Sequence, residues 1–310
     1  MKIHPSLLVV LFIIFDLFLI ERILVGSSTI SIFDPKGIIA LQERNLIFVI
    51  VFLMLLVVIP VFLLMIHVVR KYHANNTHTD YHPDWDHNTK LQLFIWGFPF
   101  LIVCAMAGIT WEYAHQLDPH KAIATSVKPM TVQVVALRWK WLFIYPEQKV
   151  ATLNYLVIPN NTPVHFELTA YEAPMNSFWI PQLGGQIYAM SGMSTQTYLM
   201  ATQTGVYRGS NAEISGHGFA DMIFTTKVMN NSDFNAWINS TKQSSQQLTM
   251  ADIEKLAKPT EDHRTADYSS TEQNLYTTIV MKYMAHSSTP SEQNHTETQT
   301  DTHMENMPGM

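Results

Sequence analysis

The chain has 310 residues, with 19 basic against 25 acidic side chains and a net charge of −6, which argues against a nucleic-acid partner because phosphate binding needs a basic face. Only 14% of residues are charged while 47% are hydrophobic, and the mean hydropathy is +0.06, so apolar residues are concentrated in part of the chain. The single cysteine, Cys104, excludes an internal disulfide, a zinc ribbon and any site that needs two thiolates.

The first apolar stretch, Leu7 to Ile20, follows Lys2 and His4, contains Asp16 and precedes the small residues Gly26, Ser27 and Ser28. Residues 1–26 therefore read as a signal peptide or a retained N-terminal anchor, and no cysteine nearby offers a lipoprotein site. Leu46 to Ile66 is free of charge and interrupted only by Pro60; Leu91 to Trp111 is likewise uncharged and carries Gln92, Gly97, Pro99 and Gly108. Each stretch spans about 30 Å as a helix, the thickness of a bilayer's hydrocarbon core, so transmembrane helices are predicted at 45–69 and 91–112. Pro60 and Pro99 are tolerable there because neighbouring helices re-satisfy freed carbonyls. With Lys2 inside, parity puts the loop 70–90 in the cytoplasm and everything after 112 outside; the loop charges add only a weak positive-inside bias. His67, His73, His78, His82 and His87 lie in and beside that loop among Asn, Asp and Thr, a pattern that reads as solvated chain rather than a metal site.

From residue 130 the period changes to two. Thr131–Leu137 puts Val132, Val134 and Ala136 on one face, and Val164–Ala170 puts Val164, Phe166, Leu168 and Ala170 on one face. Similar runs follow at 152–158, 195–201 and 221–228, separated by Pro146, Pro159–Asn161, Gly184–Gly185, Gly205 and Gly216–Gly218. Closely spaced short strands predict a β-sandwich or small barrel. Beyond 230 the pattern is helical: Ser232 or Asp233 as a cap before Phe234, Trp237 and Ile238, a capping box at Thr249–Asp252 closed by Lys258–Pro259, and a third piece carrying Leu275, Ile279 and Tyr283. These helices are expected to cover the domain's outer face. Residues 285–310 have little to bury and read as a disordered tail whose His286, His295, His303, Met304, Met307 and Met310 offer loose copper ligands.

Two spans followed by an exported β-domain resembles subunit II of the haem–copper respiratory oxidases. Asp34–Gly37 before the first span, Trp139-Lys140-Trp141 through Tyr145 to Gln148, Met175–Phe178, Ile180-Pro181 and Leu183–Gly192 look like this subunit in the bo-type ubiquinol oxidases, as does Met250–Ala257. The resemblance covers roughly residues 33–284. It implies a membrane α + β protein: a two-helix transmembrane hairpin, a cupredoxin-like β-sandwich at 128–229 facing the periplasm, and a C-terminal helical extension at 230–284.

Cytochrome c oxidases of the family hold a binuclear copper centre on this domain, with ligands from a His before Ser-Trp and a Cys-x-Glu-x-Cys-x-x-x-His-x-x-Met run. The resemblance places Asn176 at the first His, Asn211 and Ser215 at the cysteines, Phe219 at the second His, and keeps only Met222. Bridging soft thiolates delocalise the electron in such a centre, so no copper site is expected here. His217, two residues from the ligand position, does not replace them. Glu213 matches the Glu between the cysteines, which joins a magnesium site in relatives, and is a magnesium candidate; a solvated carboxylate is the plainer reading. Gln92 stands where relatives carry a Glu thought to open a proton channel into subunit I. An amide can carry a water chain but cannot store a proton, so Gln92, or Asp84 or Asp86 nearby, is the proton-entry candidate beside the plainer reading of an interfacial polar residue. Trp139 and Trp141 occupy the place of the aromatic electron entry of relatives, and are assigned to packing in the core or against subunit I.

The function implied is that of a non-redox subunit of a proton-pumping, quinol-oxidising, oxygen-reducing complex in a bacterial inner membrane, with no catalytic residue on this chain. Its partners would be subunit I, carrying haem b, haem o or a and one copper, then subunits III and IV and membrane lipid, but not cytochrome c. Ubiquinol would be the complex's substrate. The alternative from another class is a membrane-anchored cupredoxin-like copper-binding or sensing protein, supported only by the tail.

Overall fold

The computed structural model describes residues 30–73, 76, 87–260 and 264–287. The expected signal or anchor at 1–26, Asp84 and Asp86, the loop histidines His78 and His82, and the tail from 288 lie outside the described residues.

Helix α1, Ile38–Lys71, has 34 residues, and α2, Thr89–Gln116, has 28. Both carry exposed apolar side chains along the middle of their length, and both are long and apolar enough to cross a membrane. Pro60 and Pro99 sit inside continuous helix. At 1.5 Å per residue α1 is about 50 Å long, well beyond a hydrocarbon core of about 30 Å. Its first turns, before the charge-free stretch begins, therefore rise toward the β-domain.

The strands are β1 Met130–Leu137, β2 Lys140–Tyr145, β3 Val150–Leu153, β4 Tyr155–Pro159, β5 Val164–Ala170, β6 Asn176–Trp179, β7 Ile187–Ala189, β8 Thr195–Leu199, β9 Gly205–Asn211, β10 Ile223–Met229, β11 Gln247–Leu248, β12 Ala266–Tyr268 and β13 Ser270–Thr271. One sheet runs β12-β3-β2-β1-β5-β8 and the facing sheet β4-β10-β9-β6-β7; β11 and β13 form a small pair. The parallel pairings β1–β5 and β4–β10 fall within otherwise antiparallel sheets. The alternation of β5 aims Val164, Phe166 and Leu168 between the sheets, where they meet an aromatic centre. Phe178 and Phe224 stack at 5.3 Å and 8°, and Trp141 meets Phe178 edge-on at 5.6 Å. Tyr145 bridges the sheets: its hydroxyl donates to Val157 O at 3.0 Å and accepts from Val157 N at 2.9 Å. Burial pushes its phenol well above the usual range.

Three sequence readings are corrected. The run 152–158 is not one strand, because Asn154 adopts a left-handed backbone (φ 58°) and carries the chain from the first sheet to the second. Asn tolerates that region, and here its side chain fixes the corner by accepting from Trp141 N at 3.0 Å and donating to Arg264 O at 3.1 Å. Next, the cap of α3, Asn231–Thr241, is Asn230 rather than Ser232 or Asp233, with Asn230 Oδ1 accepting from Asp233 N at 2.8 Å. Third, α3 does not cover the outer face: Phe234, Trp237 and Ile238 plug the end of the inter-sheet core, with Trp237 edge-on to Tyr145 at 5.4 Å.

The later elements do cover that face. Helix α4, Met250–Leu256, opens with a capping box in which Thr249 and Asp252 exchange hydrogen bonds. Ile253 of α4 and Leu275, Tyr276 and Ile279 of α5, Leu275–Ser287, bury Val135, Leu137, Leu142 and Ile144. This explains why β1 loses its alternation after Gln133 and is buried on both faces. The extension also supplies β12 to the sheet, so it is woven in rather than laid on.

Candidate functional site

The loops at one end of the sandwich bring together four of the positions singled out in the sequence. Asn176 opens β6, Asn211 closes β9, Ser215 lies in the loop that follows, and Met222 stands just before β10. Asn211 Nδ2 donates to Asn176 Oδ1 at 2.7 Å and to Ser215 Oγ at 2.9 Å. Its Oδ1 accepts from Ser177 N at 2.7 Å and Glu213 N at 3.1 Å. Both donors and both acceptor sites of this amide are thus used. Asn176 Nδ2 in turn donates to Pro174 O at 2.8 Å. Asn176 and Asn211 are both buried, so each would be costly to hold without these partners.

Met222 is buried, and its carbonyl accepts from Asn211 N at 2.9 Å and Trp141 Nε1 at 3.4 Å. Phe219 sits in a 3-10 turn, Phe219–Asp221, and is half-buried; His217 beside it is exposed. Glu213 contributes its backbone N–H to the cluster, and its side chain is half-exposed. Among the described residues no three His, Cys, Asp or Glu side chains come together in a way that could hold a metal ion. The chemistry of this corner is amide and hydroxyl hydrogen bonding.

Trp139 flanks the same corner. It lies in the turn between β1 and β2 with φ 61°. Its indole lies flat on the Gly216–Gly218 loop, so closely that a Cβ on Gly218 would stand 2.4 Å from the ring. Lys140 next to it points the opposite way. Its ammonium donates to Leu256 O at 3.0 Å and Lys258 O at 3.1 Å, a cation on the carbonyl end of α4. Trp141 is fully buried in the core. The Trp-Lys-Trp motif thus ties three regions together: the loop corner, the extension and the core.

A second constellation was quoted in the sequence as separate motifs and becomes one joint in space. Asp34–Gly37 packs against Leu183–Gly185 and Met200–Thr202. Lys36 N and Gly37 N both donate to Gln182 O, at 2.7 and 3.0 Å; Ile38 N donates to Met200 O at 3.2 Å, and Ala40 N to Leu183 O at 3.1 Å. The N–H groups that a helix start leaves unpaired are therefore capped by carbonyls of the β-domain, since Gly37 itself gives no side-chain cap. Thr202 N returns a bond to Lys36 O at 2.8 Å, and Lys36 pairs with Asp34 at 2.7 Å and Gln203 Oε1 at 3.0 Å. A Cβ on Gly37 would stand 2.4 Å from Leu183 O, so only glycine permits this approach. Periodicity alone does not reveal this joint; the motif pair was the only signal.

Gln92 is not part of either constellation. It lies exposed in the first turn of α2, whose cap is Asn88, accepting from Leu91 N at 3.0 Å. That is the end of the hairpin remote from the β-domain.

Residues 145–229 match the family model "Cytochrome C oxidase subunit II, periplasmic domain", and residues 242–287 match "COX Aromatic Rich Motif". The cytochrome bo(3) ubiquinol oxidase subunit 2 of Pseudomonas putida is 44% identical over 261 residues, covering 84% of this chain and 83% of the relative. The ubiquinol oxidase subunit 2 of Acetobacter aceti is 43% identical, covering 85% and 86%. The quinol oxidase subunit 2 of Bacillus subtilis is 36% identical, covering 76% and 74%. At these identities, over more than four-fifths of the chain in the first two relatives, this chain belongs to the family of subunit 2 of the ubiquinol oxidases.

Proposed function

We propose that this chain is a structural subunit without a redox centre, in a complex that oxidises membrane quinol, reduces oxygen to water and pumps protons. The observation that carries the reading is the Asn176–Asn211–Ser215 cluster. A binuclear copper centre needs soft thiolate bridges and imidazoles, and the side chains at those positions are hard amides and a hydroxyl already committed to one another. Met222 is the one soft donor of the set. These residues do not fit the copper centre of the cytochrome c-oxidising branch, so electrons would enter the complex from quinol at subunit I rather than through this domain. The relatives named as ubiquinol oxidase subunits support the same direction.

In this reading haem b, haem o or a and a single copper belong to subunit I, and subunits III and IV complete the complex. The hairpin α1–α2 crosses the bacterial inner membrane twice, with the loop 70–90 in the cytoplasm and the sandwich in the periplasm. What this chain's residues do is hold: α1 and α2 present apolar faces to lipid and subunit I, and the joint at Gly37 fixes the sandwich above them. Gln92 faces the cytoplasmic end, where its amide can support a water chain into subunit I but store no proton. Glu213 remains a magnesium candidate only if subunit I brings further oxygen ligands to it.

The test is oxygen uptake by the complex purified through this chain in mild detergent. Ubiquinol-driven uptake, with no oxidation of added reduced cytochrome c, is the expected result. Rapid cytochrome c oxidation would overturn the proposal.

A further inference from the structure

The residues that precede α1 do not simply lead into it. Ile30 to Phe33 form a tight turn, with Phe33 N donating to Ile30 O at 3.0 Å, and Phe33 stacks on Phe48 at 6.1 Å and 26°. Phe48 lies ten residues into the helix, about 15 Å from its start. The chain therefore doubles back along α1 to the level where the charge-free stretch begins. Ile30, Ile32, Ile47 and Phe48 are left exposed there, and so is Trp179 at the end of β6. Between this turn, α1 and the Trp179–Pro181 segment runs a groove of about 330 Å³, within the size range of small-molecule sites.

Charge in the groove is one-sided. Glu43 lines it, but its carboxylate accepts from the backbone N–H of Gly185 on the β-domain side. Arg44 has two of its N–H groups on a single oxygen, Asn45 Oδ1, at 3.4 and 3.2 Å. A guanidinium has five such donors, so three are left for an anion. An apolar trough at the membrane edge, an indole on its rim and a cation just above the hydrocarbon level together match an amphiphile with an anionic head.

We infer that this groove holds a phospholipid of the outer leaflet, with its phosphate on Arg44 and an acyl chain along Ile32, Ile47 and Trp179. The inference rests on the reading of 45–69 as a membrane span. A bound lipid there would fill the space between the doubled-back turn and the β-domain, and so brace the joint at Gly37 from the membrane side.

The experiment uses the intact oxidase complex in bilayers doped with phosphatidylglycerol carrying a photo-reactive group on its acyl chain, followed by peptide mapping. Labelling concentrated in residues 30–47 and 179–181 is expected, falling about tenfold in Arg44→Gln, the loss of one charge-assisted contact. The wild-type map carries the test by itself should the variant fail to assemble. Labels spread over 51–66 but absent from the groove would overturn the lipid site while leaving the span intact. Labels absent from both would overturn the span reading and the site with it. Crosslinks from Ile47 to subunit I, or recovery of quinol rather than phospholipid from the groove, would assign it to another occupant and also overturn the inference.

Discussion

Two corners of the β-domain are built in opposite ways. The joint at Gly37 is made almost wholly of backbone: carbonyls of Gln182, Leu183 and Met200 meet the N–H groups that start α1. The cluster at Asn211 is made of side chains, with one amide satisfying four neighbours. A backbone joint constrains the sequence only through what must be absent, here a Cβ at Gly37. A side-chain cluster constrains it through mutual satisfaction, so a whole ligand set can be exchanged for another set as long as every buried polar atom is paired. On the proposed reading, that is how a fold shared with copper proteins keeps its loops while changing its chemistry.

Substitution separates the two most sharply at the joint. Gly37→Val places a branched side chain where even a Cβ would be 2.4 Å from Leu183 O. Neither backbone can yield without losing bonds to the other, and the expected penalty is about 3 kcal/mol, the upper range for overpacking. The yield of haem-containing complex recovered through this chain should collapse. Near-normal yield would mean that the joint is dispensable.

The cluster should behave differently. Asn211→Leu leaves Ser177 N and Asn176 Oδ1 without their bonds in a buried place, at about 1–3 kcal/mol for each unsatisfied group. Thermal unfolding of the purified complex should start several degrees lower, while quinol oxidation per haem stays unchanged in the assembled fraction. A drop in turnover without loss of stability would give the corner a role in electron flow and break the contrast.

A third variant asks whether the extension belongs with the joint or stands alone. Lys140→Met removes the cation from Leu256 O and Lys258 O and should weaken the attachment of α4 by about 1–2 kcal/mol. Limited proteolysis of the complex should then cut in the 242–287 region faster, with the sandwich core still protected. Equal cutting rates would show that β12 and α5 hold the extension without Lys140.

The smallest effect is one of pH. Hydrogen bonds from Thr249, then from Lys255, hold the Asp252 carboxyl below its ordinary value of 3.8. A carboxylate with a lowered pKa contributes stability that is present above that ordinary value and is lost as pH falls through the folded one. Protection of the first amides of α4, measured against their intrinsic exchange rates, should fall below about pH 4 in the native chain, and Asp252→Asn should flatten that dependence.

Much of this architecture is legible in the residues themselves. The two long apolar helices follow from uncharged length, the strands β1 and β5 from alternation, and the box at Thr249–Asp252 from spacing alone. What the sequence hides are the places where one residue changes the chain's direction or where two distant segments meet. Asn154 looks like any polar residue inside a strand, yet its left-handed backbone divides β3 from β4 and sends them to different sheets. Trp237 reads as an amphipathic helix residue, but nothing in its period tells whether the helix lies over a sheet or plugs the end of the core. At the candidate site, the Asn, Asn, Ser and Met positions were readable only through the resemblance. The hydrogen-bond closure among them was not, because it depends on the register of neighbouring strands, in which Asn211 lies opposite Phe178 and its amide reaches Asn176 two residues away along β6. The joint at Gly37 stayed hidden for a related reason: its contacts are main-chain atoms, which carry no residue identity.

The most direct test of the central claim, that this domain carries no copper centre, is the copper-to-haem ratio of the purified complex, read with its near-infrared and electron paramagnetic resonance spectra. The account predicts the single haem-associated copper and no mixed-valence copper signal. Two further coppers with that signal, lost in Met222→Leu, would contradict it.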